Sequence, residues 1–464
     1  MTNSTPLAPP AGSTLDMIGR TPMLEITHID TGPCRLFIKL ENQNPGGSIK
    51  DRIALTMVAA AEKEGYLKPG GTIIEATAGN TGLALAQVGI LKGYRTLLVV
   101  PDKMAREKVQ HLRALGAEVR VTRSDVGKGH PEYYQDLAER LSQSIPGGFY
   151  VNQFGNKANP LAHYTTTAPE IWEQMGGDVD AIVVGVGSGG TLTGNGRYFA
   201  ERSPKTEMVL ADPVGSVLRH YHETGELIEA GSWTVEGIGE DFIPDNCDMS
   251  LVKKAYSISD REAMDTASLL LRKEGILAGS STGVLLAAAL KYCREQTEPK
   301  RVVTFACDTG AKYLSKVYNE SWLADQGLAD RPIFGDLRDL VARKGGDVVT
   351  VSPDETLQTA YNRMRHADVS QLPVLQDGRL VGILDESDLL AAMERDGQEA
   401  AMKTAVKASM TSNLNTLQAS EPIDALTPVF DREEVALVMD GDDFVGLITR
   451  VDLINWLRQH PRAA

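Results

Sequence analysis

Little in this sequence points to a membrane, a disulfide framework or a nucleic acid. Cysteine is scarce: Cys34, Cys247, Cys293 and Cys307 are the only four, far apart and without a C-x-x-C pair. That spacing excludes a disulfide scaffold and a zinc site, and fits a reducing cytoplasm. No apolar stretch approaches the ~20 residues of a membrane helix, so a soluble chain is expected. The N-terminal MTNSTPLAPPAGSTLD has no basic region followed by an apolar run, so it is not a signal peptide and is expected to be a disordered lead over residues 1–16. Positive charge is in deficit, with a formal net charge of −15 and the acidic residues spread along the chain. Such a balance argues against nucleic acid or an anionic membrane as partner, though a pocket on an acidic protein can still be locally positive.

What is present, in 464 residues of which 42% are hydrophobic and 23% charged, suffices for two or three domains with sizeable cores. From Ile18 to Trp322 short apolar runs alternate with amphipathic segments. TIIEA (Thr72–Ala76), TLLVVP (Thr96–Pro101), AIVVGV (Ala181–Val186), EMVLADP (Glu207–Pro213) and RVVTFACD (Arg301–Asp308) predict buried parallel strands. Helix-length stretches such as Met104–Leu115 and Thr191–Arg202 lie between them. The alternation predicts an α/β fold with helices on both faces of parallel sheets, and the chemistry in loops beyond the C-terminal ends of the strands.

Four such loops stand out. In ENQNPGGSIKDR (Glu41–Arg52) a tight turn precedes a helix with Lys50 at its mouth; alone, the segment is that of a solvated lysine. In EATAGNTG (Glu75–Gly82), Thr77, Ala78, Gly79, Asn80 and Thr81 can turn backbone N–H groups to a carboxylate-sized anion, or simply cap a helix; the Asn80 amide suits a phenolic oxygen. VGVGSGGTLTG (Val184–Gly194) offers the amides of Gly187, Ser188, Gly189, Gly190 and Thr191 to a phosphate dianion. Its Gly185-x-Gly187-x-x-Gly190 spacing, with Asp212 downstream, also satisfies a dinucleotide fingerprint, but nothing upstream supplies hydride chemistry. LAGSSTG (Leu277–Gly283) places serines ahead of a helix.

Together these loops supply a lysine nucleophile, an amide, a phosphate cradle and a hydroxyl. In this constellation the chain resembles the fold-type II (tryptophan-synthase β-like) pyridoxal-phosphate enzymes, and among them the cystathionine β-synthase family. The resemblance covers residues 17–325 and rests on IGRTPM, NPGGSIKDR, GNTG, NQFGNKANPLAHYTTTAPEIW, GVGSGGTLTG, VEGIGEDFIP and AGSSTG. It implies that Lys50 is the Schiff-base lysine and general base, that Asn80 binds the pyridoxal 3′-oxygen, and that Gly187–Thr191 hold the phosphate. It further implies that Ser281 faces the pyridine nitrogen, that Thr77–Thr81 and Gln153 hold the substrate carboxylate, and that the loop Glu236-Gly237-Ile238-Gly239 borders the substrate. The family's phosphate loop usually has Thr where Ser188 stands, and its eukaryotic members Tyr where Glu240 stands, which leaves second-substrate contacts open.

These roles imply β-replacement: an amino acid displaces Lys50, the freed amine takes the α-proton, and a thiolate adds after the β-substituent leaves. A neutral serine at the ring nitrogen disfavours transamination. The KDR after Ser48-Ile49, the NPLAHY run and EGIGxDFIP resemble the synthase that joins serine to homocysteine, with sulfide release from cysteine as a further activity. The alternatives are a sulfhydrylase making cysteine from O-acetylserine, and an inactive nucleotide-sensing scaffold. Haem is not expected, because the residues before Met17 include neither Cys nor His.

After a linker at 326–335 an internal repeat begins, expected over 336–395 and 404–460. QLPVLQDGRLVGILDESDLL (Gln371–Leu390) matches EVALVMDGDDFVGLITRVDLINWL (Glu434–Leu457), each a strand, an Asp-Gly turn, a strand and a helix. SPDETLQTAYNRM (Ser352–Met364) and ASEPIDALTPVF (Ala419–Phe430) precede them. Two copies of about 60 residues are too few for a solenoid. The pair resembles the tandem CBS-domain (Bateman) module, in which Thr449 and Asp452 would take an adenosyl ribose, while Asp385 replaces the threonine in the first copy and Asp388 remains. A pure dimerisation module is the alternative, and a homodimer or higher homo-oligomer is expected either way.

Overall fold

The computed structural model describes residues 10–459 apart from 78, 103, 105, 127–128, 331–333 and 344–347. The chain divides into two compact units between Tyr318 and Asn319. Residues 319–325, expected to belong with the first unit, go with the second.

In the first unit the elements run β1 (Met23–Glu25), β2 (Arg35–Lys39), α1 (Lys50–Glu64), β3 (Thr72–Ala76), α2 (Asn80–Lys92), β4 (Arg95–Pro101), α3 (Arg106–Ala114), β5 (Glu118–Thr122), α4 (Tyr134–Ser144), β6 (Gly148–Tyr150), α5 (Ala158–Ala162) and α6 (Ala168–Gln174). They continue with β7 (Ala181–Val184), α7 (Gly190–Arg202), β8 (Glu207–Pro213), α8 (Leu218–Thr224), β9 (Val252–Ile258), α9 (Asp260–Glu274), α10 (Ser280–Arg294) and β10 (Arg301–Phe305). Thr14–Met17, partly inside the lead expected to lack order, form a short 3-10 turn capped by Ser13.

Two sheets result. One has the order β1-β2-β10-β7-β8-β9, parallel except for β1; the other, β5-β4-β3-β6, is parallel throughout. The central strands β3 and β7 are buried at every residue, which is why they show in sequence as unbroken apolar runs. Strand β7 stops at Val184, two residues short of the run that predicts it, because Gly185 and Val186 already belong to the loop.

The Lys50 helix is tied down by buried charge. Arg52 forks onto Glu41 (2.7 and 2.8 Å) and onto Glu170 (2.7 Å to each oxygen), and Lys39 adds a bond to Glu170 at 2.8 Å. Removing one partner of such a group leaves an uncompensated buried charge and costs about 3–5 kcal/mol.

The second unit contains α11 (Glu320–Asp325), α12 (Leu337–Arg343), α13 (Leu357–Ala367), β11 (Gln371–Gln376), β12 (Arg379–Asp385), α14 (Glu386–Asp396), α15 (Gln398–Lys403), β13 (Thr416–Gln418), α16 (Thr427–Asp431), β14 (Ala436–Asp440), β15 (Asp443–Ile448) and α17 (Arg450–Gln459). The two predicted hairpins form, with different turns. In the first, Asp377 and Gly378 both take positive φ (52° and 81°), as a type I′ turn requires. In the second, Asp440 pairs with Asp443, so the central residues are Gly441 and Asp442, and of these only Gly441 has positive φ (62°). This is glycine at the first central position of a II′-type turn, one residue along from the Asp-Gly expectation.

Each repeat's core is completed by a segment that precedes the other in sequence. Leu337 and Leu340 pack with Val438 and Ile448 of the second repeat, whereas Ala401 and Val406 pack with Leu372 and Val374 of the first.

Candidate active site

Three helices of the first unit open on glycine with no side-chain cap: α2 after Gly79, α7 after Gly189 and α10 after Gly279. Helices α9, α11, α13 and α14 are capped by Ser259, Asn319, Thr356 and Asp385, whereas α1, α4, α5, α6 and α8 of the first unit also lack a side-chain cap but do not open on glycine. An uncapped helix leaves its first N–H groups in need of a partner and carries partial positive charge there. Helix α7 opens beyond the C-terminal end of β7, α2 beyond that of β3, and α10 near that of β10. A single cavity draws on all three, lined by Lys50, Asn80, Gly187–Thr191 and Ser281 together with Glu236, Gly237, Cys307 and Asp308.

The phosphate-type loop fits an anion. Among the described residues, the backbone N–H groups of Gly187, Ser188 and Gly189 have no backbone partner. The loop also leaves no room for side chains: a Cβ on Gly187 would stand 2.5 Å from Gly237 O, and one on Gly190 1.8 Å from Asn159 Oδ1. Asn159 Nδ2 donates to Ser188 Oγ at 2.8 Å, and Thr191 Oγ1 lies 3.3 Å from His163 Nε2. Burial, Arg52 and Lys50 all push the His163 imidazole well below its ordinary range, so this ring is neutral.

Lys50 is half-buried at the first position of α1. Burial pulls its ammonium down, while Cys307, Asp308 and Glu240 pull the other way. Ile49 N donates to Cys307 O at 2.8 Å and Thr309 N to Gly47 O at 3.0 Å, so the lysine loop is stitched to the segment after β10. The Cys307 thiol is pushed up to about 12 by burial and Asp308, opposed by Lys50 and a hydrogen bond from Ser281. Glu236 is gripped by Lys108 and, at 2.7 Å, by Lys316; burial works against its charge, but the two lysines hold its carboxyl below the ordinary range.

Of the residues singled out in the sequence, Lys50, Asn80, Gly187, Ser188, Gly189, Gly190, Thr191, Ser281 and Gly237 meet at this cavity. Thr77, Gly79, Thr81, Gln153 and Gly239 do not line it, and Ala78 lies outside the described residues. Thr81 Oγ1 donates to Gln153 Oε1 at 2.7 Å, and Gly239 N donates to Val186 O at 2.8 Å. Asp212, the acid of the dinucleotide fingerprint, accepts from Arg219 N at 2.9 Å at the start of α8 and is not at the cavity. Sequence reasoning missed Asn159, His163, Cys307 and Asp308 as neighbours of the site, whereas Glu236 lies in the loop expected to border the substrate. Cys307 and Asp308 end the run predicted as a strand over Arg301–Asp308, but β10 stops at Phe305 and leaves them in the loop beyond it, where the strand-end rule could have found them.

In the second unit Thr449 N and Oγ1 both donate to Asp452 Oδ2 at 2.6 Å, and in the first repeat Asp385 and Asp388 cap α14 reciprocally. Both pairs therefore have a structural task at a helix start.

The family model described as pyridoxal-phosphate dependent enzyme matches residues 14–308, and the CBS domain model matches 337–395 and 405–459. The cystathionine beta-synthase of Apis mellifera is 33% identical over 461 residues, covering 96% of this chain and 90% of its own length. The chain belongs to the cystathionine β-synthase family. As a member it is a pyridoxal-phosphate-dependent lyase with a fold-type II core and tandem CBS domains. Cysteine synthase 1 of Neurospora crassa is 41% identical over 318 residues, covering 67% of this chain and 84% of that one. A solved hydrogen sulfide-producing enzyme from Fusobacterium nucleatum superposes with a TM-score of 0.61 at 38% identity, covering 66% of this chain and all of that one. The uncapped helices and bare loop amides fit the phosphate and ring substituents of the family's cofactor. No helix among the described residues is long and apolar enough to cross a membrane.

Proposed function

We propose that this chain is a cystathionine β-synthase, joining L-serine and L-homocysteine by β-replacement in the cytoplasm. The observation that carries the reading is the meeting of Lys50, Asn80, Gly187–Thr191 and Ser281 at one cavity, in a chain whose synthase relative aligns through both repeats. In this reading the amides of Gly187–Thr191 hold the phosphate, Asn80 meets the phenolic oxygen, and Ser281 meets the ring nitrogen. Lys50 holds the cofactor covalently at rest; once displaced by the substrate amine, its Nζ takes the α-proton and returns one to the product. Thr77–Thr81 and Gln153 orient the substrate carboxylate, with Gly237 and Gly239 on the opposite border. Bound pyridoxal phosphate supplies the electron sink for α-proton loss. Ser281, offering a hydroxyl rather than a carboxylate, would meet the ring nitrogen without favouring its protonated form.

A second reading, cysteine synthesis from O-acetylserine and sulfide, is supported by the 41% identity over 318 residues to the Neurospora crassa cysteine synthase. Sulfide release from cysteine is a third outcome of the same chemistry. Assays of serine with homocysteine, O-acetylserine with sulfide, and cysteine alone separate the three, and cystathionine as the dominant product is expected. A colourless protein with no borohydride-fixed adduct would leave only a nucleotide-sensing scaffold. The second repeat, through Thr449 and Asp452, takes an adenosyl compound, and the whole chain works as a homo-oligomer.

A further inference from the structure

The side chain of Asn80 lies between two groups of opposite charge. Lys312 Nζ donates to Asn80 Oδ1 at 2.8 Å, and Asn80 Nδ2 donates to Asp308 Oδ2 at 2.7 Å. An ammonium carries only donors, so only the carbonyl end of the amide can face it; a carboxylate accepts, so the amino end must face Asp308. Turned over, the amide would set N–H against ammonium and carbonyl against carboxylate. Chemistry alone therefore fixes the orientation.

The two flanking groups are themselves held. The Tyr313 hydroxyl donates to the same Asp308 Oδ2 at 2.6 Å, and Asp308, 2% exposed, forms a backbone bridge with Ser48. Lys312 also donates to Gly46 O at 3.1 Å, in the turn that leads to Lys50. One segment thus grips both the lysine loop and the amide.

Asp308 takes one of the two hydrogens on Nδ2, and the second belongs to a side chain that lines the cavity. Such a group seeks an oxygen lone pair, not a hydroxyl hydrogen. We propose that Lys312 and Asp308 are positioning residues that lock the Asn80 amide with its N–H toward the cofactor's phenolic oxygen, and that Lys312, through Gly46, ties this lock to the loop carrying Lys50. The inference rests on the cofactor role proposed above for Asn80 and extends it to residues outside the motifs. An N–H donor at the phenolic oxygen favours phenolate over neutral phenol, two forms that absorb at different wavelengths.

The test is Lys312→Met in the full chain, loaded with pyridoxal phosphate, with the absorption spectrum and the cofactor dissociation constant read in parallel. The phenolate-to-phenol band ratio should fall, and the dissociation constant should rise about fivefold, the size of one hydrogen bond. In an Asn80→Ala background the same substitution should change either by less than about twofold, since neighbours in one network are not additive. Lys312→Gln keeps a donor at that end and should fall between Met and wild type; it supplies the comparison if the Met variant fails to load. A Lys312→Met spectrum identical to wild type, or an equal effect with and without the Asn80 amide, overturns the proposal. A wild type that takes up no cofactor overturns it together with the reading of the site, whereas a coloured wild type with an unresponsive Lys312→Met overturns this inference alone.

Discussion

Gln153 donates its backbone N–H to Glu75 Oε2 at 3.0 Å, while the other carboxyl oxygen of Glu75 accepts from Ala76 N at 2.8 Å. This buried carboxyl, at the end of β3, thus holds both the last residue of that strand and Gln153, which is proposed to contact substrate with the loop that follows. Burial pushes it up to about 8, against the two backbone donors. Glu75→Gln should destabilise, because an amide N–H would meet one of the two backbone N–H groups, a cost of about 1–3 kcal/mol. The folded chain holds this proton more tightly than the unfolded chain, so the stability it brings is full below about pH 4.3 and is lost as pH rises through about 8. The wild type's advantage over Glu75→Gln in urea unfolding should therefore narrow between those limits, and a constant gap would place the proton elsewhere.

Lys50→Ala should leave no borohydride-fixed adduct on the peptide containing position 50, while the phosphate loop still takes up cofactor weakly. Turnover should fall by at least about 10²–10⁴-fold, the scale of a lost general base. Turnover near the wild-type rate would remove Lys50 from the chemistry.

Ser281→Asp places a carboxylate near a cavity wall that already holds Asp308 and the Cys307 thiol. A carboxylate at the ring nitrogen favours its protonated form. Replacement should slow by about tenfold or more, the equivalent of one pKa unit, and a keto-acid by-product should appear. If rate and products are both unchanged, Ser281 does not meet the ring nitrogen.

Glu240 acts on Lys50 through space. Its carboxyl is pushed up to about 8, first by burial and then by Asp241 and Asp212, with Lys50 opposing. Once ionised it favours the charged lysine. Glu240→Gln removes that pull, so the midpoint of cofactor uptake against pH, which requires the free amine, should move to lower pH. An unmoved midpoint would mean that solvent screens the pair.

In the second repeat, Asp452→Ala should weaken an adenosyl ligand by more than about tenfold in calorimetry on the full chain, since each charge-assisted bond is worth about 1.5–3 kcal/mol. It should also cost about 0.5–2 kcal/mol of stability from the lost cap of α17. Thr449→Ala should cost less affinity. No heat with any adenosyl compound would leave the module as an oligomerisation device, and Asp452 as a helix cap only.

The central strands and the four loops were legible because both have local signatures: unbroken apolar runs for strands buried on two faces, glycine and hydroxyl clusters for loops. Strand β5, Glu118–Thr122, was not, because only Thr122 of its five residues is buried and so it carries no apolar run. The edge strand β9 likewise mixes exposed and buried positions. Asp308 and Lys312 were illegible as partners of Asn80 because more than two hundred residues separate them, and no spacing rule spans that distance. Gln153 and Thr81, expected to hold the substrate carboxylate, do not line the cavity and are held to each other. The missing caps of α2, α7 and α10 could be read only once the helix starts were known.

The crossed packing of Leu337 and Leu340 into one repeat, and of Ala401 and Val406 into the other, sets where the repeat-coding part of the gene can be cut. A breakpoint near residue 397 looks natural in the sequence, yet it would part each core from its cover. Either fragment would then expose a groove shaped for the strip it had lost, and a second copy of the same fragment, lacking that strip too, could not fill it. Recombination that conserves folding must carry residues 337–459 as one indivisible block, so any gain or loss of the module is expected in whole pairs of repeats.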